Sequence, residues 1–246
     1  MKILVSGSAG HLGEALMRTL QAAGHDAIGL DVLASPFTTE VGSIVDRSVV
    51  SRCMTGVDAV LHAATLHKPH VATHTRQQFI DTNITGTLNL LEEAASAGVG
   101  SFVFTSTTST FGDALTPPVD GPALWVTEDI VPLQKNIYGV TKVAAENLCE
   151  LFHRNAGMPC IVLRTSRFFP EDDDNKATLR RRQSRPTKCS IGAPISRTSS
   201  ARISWPCFAF VIERLQESED FRSPLAHAVG SKGYHREVFP GVPFPT

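Results

Sequence analysis

The side chains best suited to do chemistry sit in one short run, Tyr138-Gly139-Val140-Thr141-Lys142. Four residues apart on a helix, the tyrosine and the lysine share a face. An ammonium beside a phenol favours the phenolate, which makes tyrosine a usable acid and base near neutral pH. Alone, the pair is two neighbours and no more. A second run gives it company: Phe104-Thr105-Ser106-Thr107-Thr108-Ser109-Thr110-Phe111-Gly112 clusters hydroxyls just past the end of an apolar stretch. A hydroxyl there is placed to hydrogen-bond a substrate oxygen whose proton the tyrosine takes or gives. The third run is Gly7-Ser8-Ala9-Gly10-His11-Leu12-Gly13, with Asp31 lying 18 residues beyond Gly13. Between a strand and a helix, such glycines allow a tight turn and a close approach of backbone to a pyrophosphate. The helix N-terminus then offers N–H donors, and the carboxylate takes a ribose 2′-OH. The plainer reading is a sharp turn and a surface aspartate with no ligand. Val32 follows Asp31, so no arginine awaits a 2′-phosphate, which favours NAD over NADP.

The elements that must position these residues are legible from periodicity. Lys2 to Ser6 reads as a short strand, Leu12 to Ala23 as a helix with Leu12, Leu16 and Leu20 on one face, and Asp26 to Asp31 as a second strand. Ala59 to Ala63 is an apolar strand of the fully buried, parallel kind. Phe79 to Ala97 has helical spacing closed by Gly98, and Phe102 to Thr105 is the next strand. Tyr138 to Ala156 is a helix stopped by Gly157 and Pro159, and Cys160 to Arg164 follows as a strand. Strands alternating with helices of a dozen or more residues predict an α/β fold, a Rossmann-type doubly wound parallel sheet.

Together these residues resemble the extended short-chain dehydrogenases/reductases, in particular the NAD-dependent epimerase/dehydratase group. The likeness covers about residues 1–170. Asp58-Ala59-Val60-Leu61-His62-Ala63-Ala64 is similar to the group's fourth-strand segment, and Asp81-Thr82-Asn83-Ile84-Thr85-Gly86-Thr87 to its Asn-x-x-Gly-Thr segment. The resemblance implies that Thr107 is the catalytic hydroxyl, Tyr138 the acid/base, and Lys142 the residue that binds the ribose and tunes Tyr138. It implies a cofactor set of Gly7, Gly10, His11, Leu12, Gly13, Asp31, Ser43, Ile44, Ala63, Ala64, Thr65, Asn83, Thr105, Ser106, Tyr138, Lys142 and Thr165. Ser43 stands where the group often keeps an aspartate, with Asp46 as the nearby substitute. The expected activity is NAD-dependent oxidation or epimerisation at a sugar or nucleotide-sugar hydroxyl. A different class stays open beside it, an NAD-binding regulatory or interaction protein without turnover. The resemblance also implies a homodimer, built from Phe79–Ala97 and Tyr138–Ala156 of each subunit.

Composition bounds the alternatives. With 246 residues the chain is long enough for a sizeable core, and a net charge of −1 argues against a nucleic-acid or membrane surface. The longest apolar runs, such as Val57 to Ala64, are too short to span a bilayer. Met1 runs straight into a strand, which leaves no room for a signal peptide. Cys53, Cys149, Cys160, Cys189 and Cys207 lack metal or disulfide spacing, as expected of a cytoplasmic protein. His62 belongs to its strand, and His67, His70 and His74 read as loop residues, so no metal is expected.

The pattern breaks near Glu171. We expect a Rossmann domain over 1–174 and an atypical segment over 175–246, a truncated or irregular substrate region. The acidic run Glu171 to Asp174 meets the basic run Arg180 to Arg185, which lacks the interleaved aromatics of a nucleic-acid surface. Nine arginines, nine serines and seven prolines fill the 72 residues from Asn175, and Phe208 to Leu215 is the one apolar element. Such an abrupt loss of local consistency is expected where a GC-rich gene is read in a shifted frame. The rival expectation is a natural tail or lobe.

Overall fold

The computed structural model describes residues 1–117, 121, 124, 126 and 130–165. The segment 175–246, with Phe208 to Leu215 and the expected domain boundary, lies outside the described residues.

Six parallel strands form one sheet: β1 (Lys2–Ser6), β2 (Asp26–Asp31), β3 (Glu40–Val41), β4 (Ala59–His62), β5 (Ser101–Thr107) and β6 (Cys160–Thr165). Their spatial order is β3-β2-β1-β4-β5-β6, so the chain winds outward from β1 in one direction and then in the other. The doubly wound expectation from the sequence holds. Register keeps the strand ends level: Ser6 pairs with Leu30 and His62, and His62 pairs with Phe104. Since all strands run the same way, their C-terminal ends share one edge, and the reversal between β1 and β4 opens a crevice there.

Alternation along the strands divides the core into two layers. Leu4, Leu30, Val60, Phe102, Phe104 and Cys160 face helices α2 (Arg47–Cys53), α4 (Gly86–Ala97) and α5 (Ile137–Ala156). Ile3, Val5, Ala59, Leu61, Val103, Ile161 and Leu163 face the other way, where α1 (His11–Ala22) lays down Leu16, Met17 and Leu20. A strand buried on both faces is mostly apolar, and β4 reads Ala-Val-Leu-His with every residue buried.

Some elements differ from the sequence expectation. The helix expected over Phe79–Ala97 is three segments: α3 (Arg76–Ile80), a wide π-type turn (Asp81–Thr85) and α4. Thr75 starts it with a capping box, its hydroxyl accepting from Gln78 N–H and the Gln78 side chain reaching back. The π turn inserts an extra residue per turn and turns Asn83 inward, where it is buried. The strand β3 and the helix α2, which Asp46 caps through Ser48 N–H at 2.9 Å, were too short for periodicity to reveal. His67 and His70 are not plain loop: His67 caps a 3₁₀ turn (Lys68–Ala72) that contains His70, whose Nδ1 accepts from His67 N–H at 3.0 Å.

Phe102 is fully buried at the centre of the first layer. Phe102→Ala is expected to cost about 3–5 kcal/mol, the usual loss for an aromatic cavity in a core. Urea denaturation of the full chain measures it, and a loss below about 1 kcal/mol contradicts this packing.

Candidate active site at the C-terminal edge of the sheet

The glycine turn closes on itself by contact. Gly7 has φ +81°, and a Cβ there would lie 2.6 Å from Ala64 N. At Gly13 a Cβ would lie 1.9 Å from the Gly7 carbonyl oxygen, so only hydrogen allows α1 to start this close to β1. Gly10 caps α1 with no side-chain partner for the helix N–H groups, leaving the dipole end open at the edge. His11 and Leu12 begin that helix, His11 exposed and Leu12 half-buried. Asp31 ends β2 and faces this turn: Ala9 N–H donates to its Oδ2 at 3.0 Å, and Leu33 N–H to its Oδ1 at 2.9 Å. A carboxylate accepts about four hydrogen bonds, so Asp31 keeps capacity for a further donor.

Two more loops reach the same edge. Ala63 and Ala64 extend β4, with Ala63 N–H donating to Ser6 C=O at 3.0 Å. Thr65 donates to Asn83 Oδ1 at 3.1 Å. Past β3, Ser43 Oγ accepts from Val45 N–H at 3.1 Å. The Ile44 side chain turns into the core against Gly86, so what it offers a ligand is backbone, and its carbonyl is already taken by Asn89. Asp46 is occupied as the cap of α2, and its hydrogen bonds from Ser48 hold its carboxyl below the usual range.

A buried polar chain connects these loops. Asn83 uses its whole amide: Oδ1 accepts from Leu66 N–H at 2.8 Å, and Nδ2 donates to Leu66 C=O at 2.9 Å and to Thr141 Oγ1 at 3.0 Å. Thr141 donates in turn to the Tyr138 carbonyl at 3.0 Å. On its other side, Thr87 gives its hydrogen to Asn83 C=O at 2.8 Å. That direction fixes the tautomer of His62. Nε2 carries the proton and donates to Thr87 at 2.9 Å, so Nδ1 accepts from Ser6 Oγ at 2.7 Å. Burial, and then the nearby Lys142, push the His62 pKa well below its usual value and keep the ring neutral. It serves as a connector, consistent with its place in the strand. Among the described residues no group of histidine, cysteine and acidic side chains is arranged to hold a metal.

The catalytic candidates converge from β5 and α5. Asn136 caps α5 through Gly139 N–H at 3.1 Å, which starts the helix one residue before Tyr138. Tyr138 and Lys142 are both buried on its inner face. Lys142 Nζ donates to Thr105 C=O at 2.5 Å and lies 4.0 Å above the centre of the Phe104 ring. Desolvation lowers its pKa from 10.5 to about 7, against the pull of the Glu146 carboxylate and Cys149. Thr107 is nearly buried and its Oγ1 accepts from Ser109 N–H at 3.1 Å, which leaves its hydroxyl hydrogen to donate elsewhere. Thr165 donates to Ser106 C=O at 3.0 Å and fastens β6 to β5.

Glu146, and the pairing of the Arg164 side chain with it, had escaped the sequence reading. The Ser106 hydroxyl faces inward and donates to Glu146, and Arg164 grips the same carboxylate through Nε at 3.0 Å and Nη2 at 2.7 Å. The signal was present as a second i, i+4 step, Lys142 to Glu146, on the face that carries Tyr138. Arg164 is exposed by sequence only as the odd charge at the end of an apolar strand.

The model of the NAD dependent epimerase/dehydratase family matches residues 3–185. A UDP-glucose 4-epimerase of Lactobacillus helveticus is 30% identical over 174 residues, covering 67% of this chain and 51% of that protein. The crystal structure of a short-chain dehydrogenase/reductase superfamily protein from Agrobacterium tumefaciens with bound NAD is 33% identical, with a TM-score of 0.60 over 67% of this chain and 49% of that one. The UDP-glucose 4-epimerase of Thermotoga maritima, solved with UDP-glucose, is 27% identical with the same TM-score of 0.60, covering 67% of this chain and 55% of its own. The chain spans about half the length of the curated relatives it matches.

The buried lysine makes a prediction about stability. Unfolded, Lys142 titrates near 10.5, and folded, at about 7. Between those values the unfolded chain holds more protons, so the group adds stability as pH rises and withdraws it as pH falls. Lys142→Met should flatten the rise in urea-denaturation free energy between about pH 7 and pH 10. An unchanged slope contradicts the burial. Asn83→Ala, which strands several buried partners, should cost about 2–4 kcal/mol in the same assay.

Proposed function

The chain belongs to the NAD-dependent epimerase/dehydratase family, and we propose that residues 1–174 form a domain that binds NAD and moves a proton at a sugar or nucleotide-sugar hydroxyl. The supporting observation is one edge that collects the closed glycine turn, the open helix end, Asp31, and the buried pair Tyr138 and Lys142 opposite Thr107. The residues fit the cofactor. The glycines let the turn pack tightly against Ala64 and the start of α1, as a dinucleotide turn requires, and Asp31 retains acceptor capacity for a ribose hydroxyl.

NAD, when bound, supplies a reversible hydride acceptor. This chain's own residues do the rest. Thr107 donates a hydrogen bond to the substrate oxygen and orients it. Tyr138 takes the hydroxyl proton as the C–H bond gives up its hydride, and returns a proton in the reverse step. In its protonated form Lys142 supplies positive charge beside the phenol. General acid–base assistance of this kind contributes about 10²–10⁴-fold to rate. Relatives that are UDP-glucose 4-epimerases support a nucleotide sugar as substrate. The second reading is NAD binding without turnover.

Among the described residues no helix is long and apolar enough to cross a membrane. We also propose a cytoplasmic homodimer. Val140 and Leu151 of α5 and Ile80 of α3 are large apolar side chains left exposed on the helices expected to pair. Light scattering at micromolar concentration is expected to give twice the chain mass.

Calorimetry with NAD, run beside an assay for isomer product or cofactor reduction with UDP-glucose, UDP-galactose and free sugars, tests the main reading. Binding with turnover is expected. Tyr138→Phe should keep cofactor affinity within a few-fold and lower turnover about 10²-fold or more. Binding without turnover across the panel selects the second reading, and no binding removes both. For 175–246, reading the gene in its other two frames past codon 176 is expected to yield a βαβ-like continuation. Its absence in both frames makes the segment a natural tail or lobe.

A further inference from the structure

Lys142 and Glu146 stand one turn apart on the inner face of α5, and their side chains reach consecutive residues of one strand. The ammonium takes the carbonyl of Thr105, and the carboxylate takes the hydroxyl of Ser106. The next residue is Thr107. Glu146 is nearly buried, with its side chain 8% exposed, and Arg164 holds it from β6 with two donors. Arg164 in turn lies over the Phe111 ring at 5.1 Å, on the far side of the hydroxyl loop. Glu146 thus pairs directly with Arg164 and acts electrostatically on Lys142, one helical turn away. A buried ion pair rarely adds net stability over an apolar substitute, so its retention asks for another use.

We propose that Glu146 is a positioning residue for the acid–base pair: clamped by Arg164 and Ser106, its carboxylate supplies a buried counter-charge that favours the cationic form of Lys142 and pins the strand end that carries Thr107. The proposal builds on the reading of Tyr138 and Lys142 as the acid–base pair. Two other titratable groups near Lys142, Cys149 and His62, are held in their neutral forms by burial. Cys149, one turn further along α5, is a thiol whose pKa burial raises well above its usual value. His62, at the end of β4, is neutral and protonated on the nitrogen that faces Thr87. β5 presents only the Phe104 ring and the Thr105 carbonyl, and Tyr138 lies on the same helix face. Among the described residues, Glu146 is the carboxylate that raises the lysine's pKa, and Arg164 pairs with the same group.

This arrangement has a signature that a purely structural role lacks, because the two partners act with opposite sign. Glu146→Gln leaves two cations without an anion and should lower the Lys142 titration midpoint by about 1–2 pH units. Arg164→Met frees the carboxylate for the lysine and should raise the midpoint by about 1 unit. Glu146→Asp keeps the charge and should fall between Glu146→Gln and the parent. The midpoint is read directly by carbon-13 NMR of lysine Cε signals in the full chain, assigned with Lys142→Met, and needs neither cofactor nor turnover. Circular dichroism identifies any variant that does not fold, and the double variant Glu146→Gln/Arg164→Met, with no lone buried charge, stands in for it. Its midpoint should lie above that of Glu146→Gln. Shifts of the same sign in both single variants, or no shift in either, overturn the proposal. The pH dependence of turnover is measured in parallel. If Lys142 moves as expected and turnover does not follow, the counter-charge role of Glu146 toward Lys142 stands, while the acid–base reading and the positioning role for it fall.

Discussion

Burying a lysine ammonium under the edge of a parallel sheet forces its neighbours into a particular arrangement. Lys142 is almost without solvent, so its charge needs partners in fixed positions. It finds a strand carbonyl at Thr105, an aromatic face at Phe104 and a carboxylate one helical turn away. Each of these is available because β5 stops polar just where α5 crosses it. The strand interior, Phe102 to Phe104, is apolar and buried on both faces. The strand end, Thr105 to Thr107, is all hydroxyls, and every one of its side chains or carbonyls that the helix and β6 meet is engaged.

The second organising feature is the amide of Asn83. Helices cannot easily bring a side-chain amide into a protein core, because buried polar groups must all be satisfied. The π turn between α3 and α4 places Asn83 where two backbone groups of Leu66 and the hydroxyls of Thr65 and Thr141 satisfy it. Thr87 carries the connection to His62, and His62 carries it to Ser6 beside the glycine turn. The glycine turn and the helix turn that presents Tyr138 are thereby parts of one hydrogen-bonded body. Neutrality of His62 is what makes this work. A protonated ring would donate from both nitrogens and lose its bond from Ser6.

The two features answer different needs. The Asn83 chain is uncharged and fixes geometry, with each donor and acceptor matched. The Lys142, Glu146 and Arg164 group is charged and responds to pH, since one carboxylate is shared between two cations. Rigid neutral connections beside a tunable charged cluster suit a site in which a proton must move while the reacting carbon stays fixed.

Much of this was legible in the residues. The glycine spacing, the apolar strands and the Tyr-x-x-x-Lys run determined by themselves a doubly wound sheet with a dinucleotide turn, since each depends on local sterics or on period. Asn83 and His62 could be picked out as members of familiar segments, but their hydrogen bonds could not, and neither could the tautomer. The π turn interrupts a helical period that the sequence carries smoothly from Phe79 to Ala97, and β3 and α2 are shorter than any period can register. Glu146 and Arg164 are 18 positions apart on different elements, and only the crossing of α5 over β5 and β6 brings them to one carboxylate–guanidinium pair. Local sterics and periodicity act along the chain and can be read from it. The pairing of buried charges acts across it, and was decided when the sheet and helices packed.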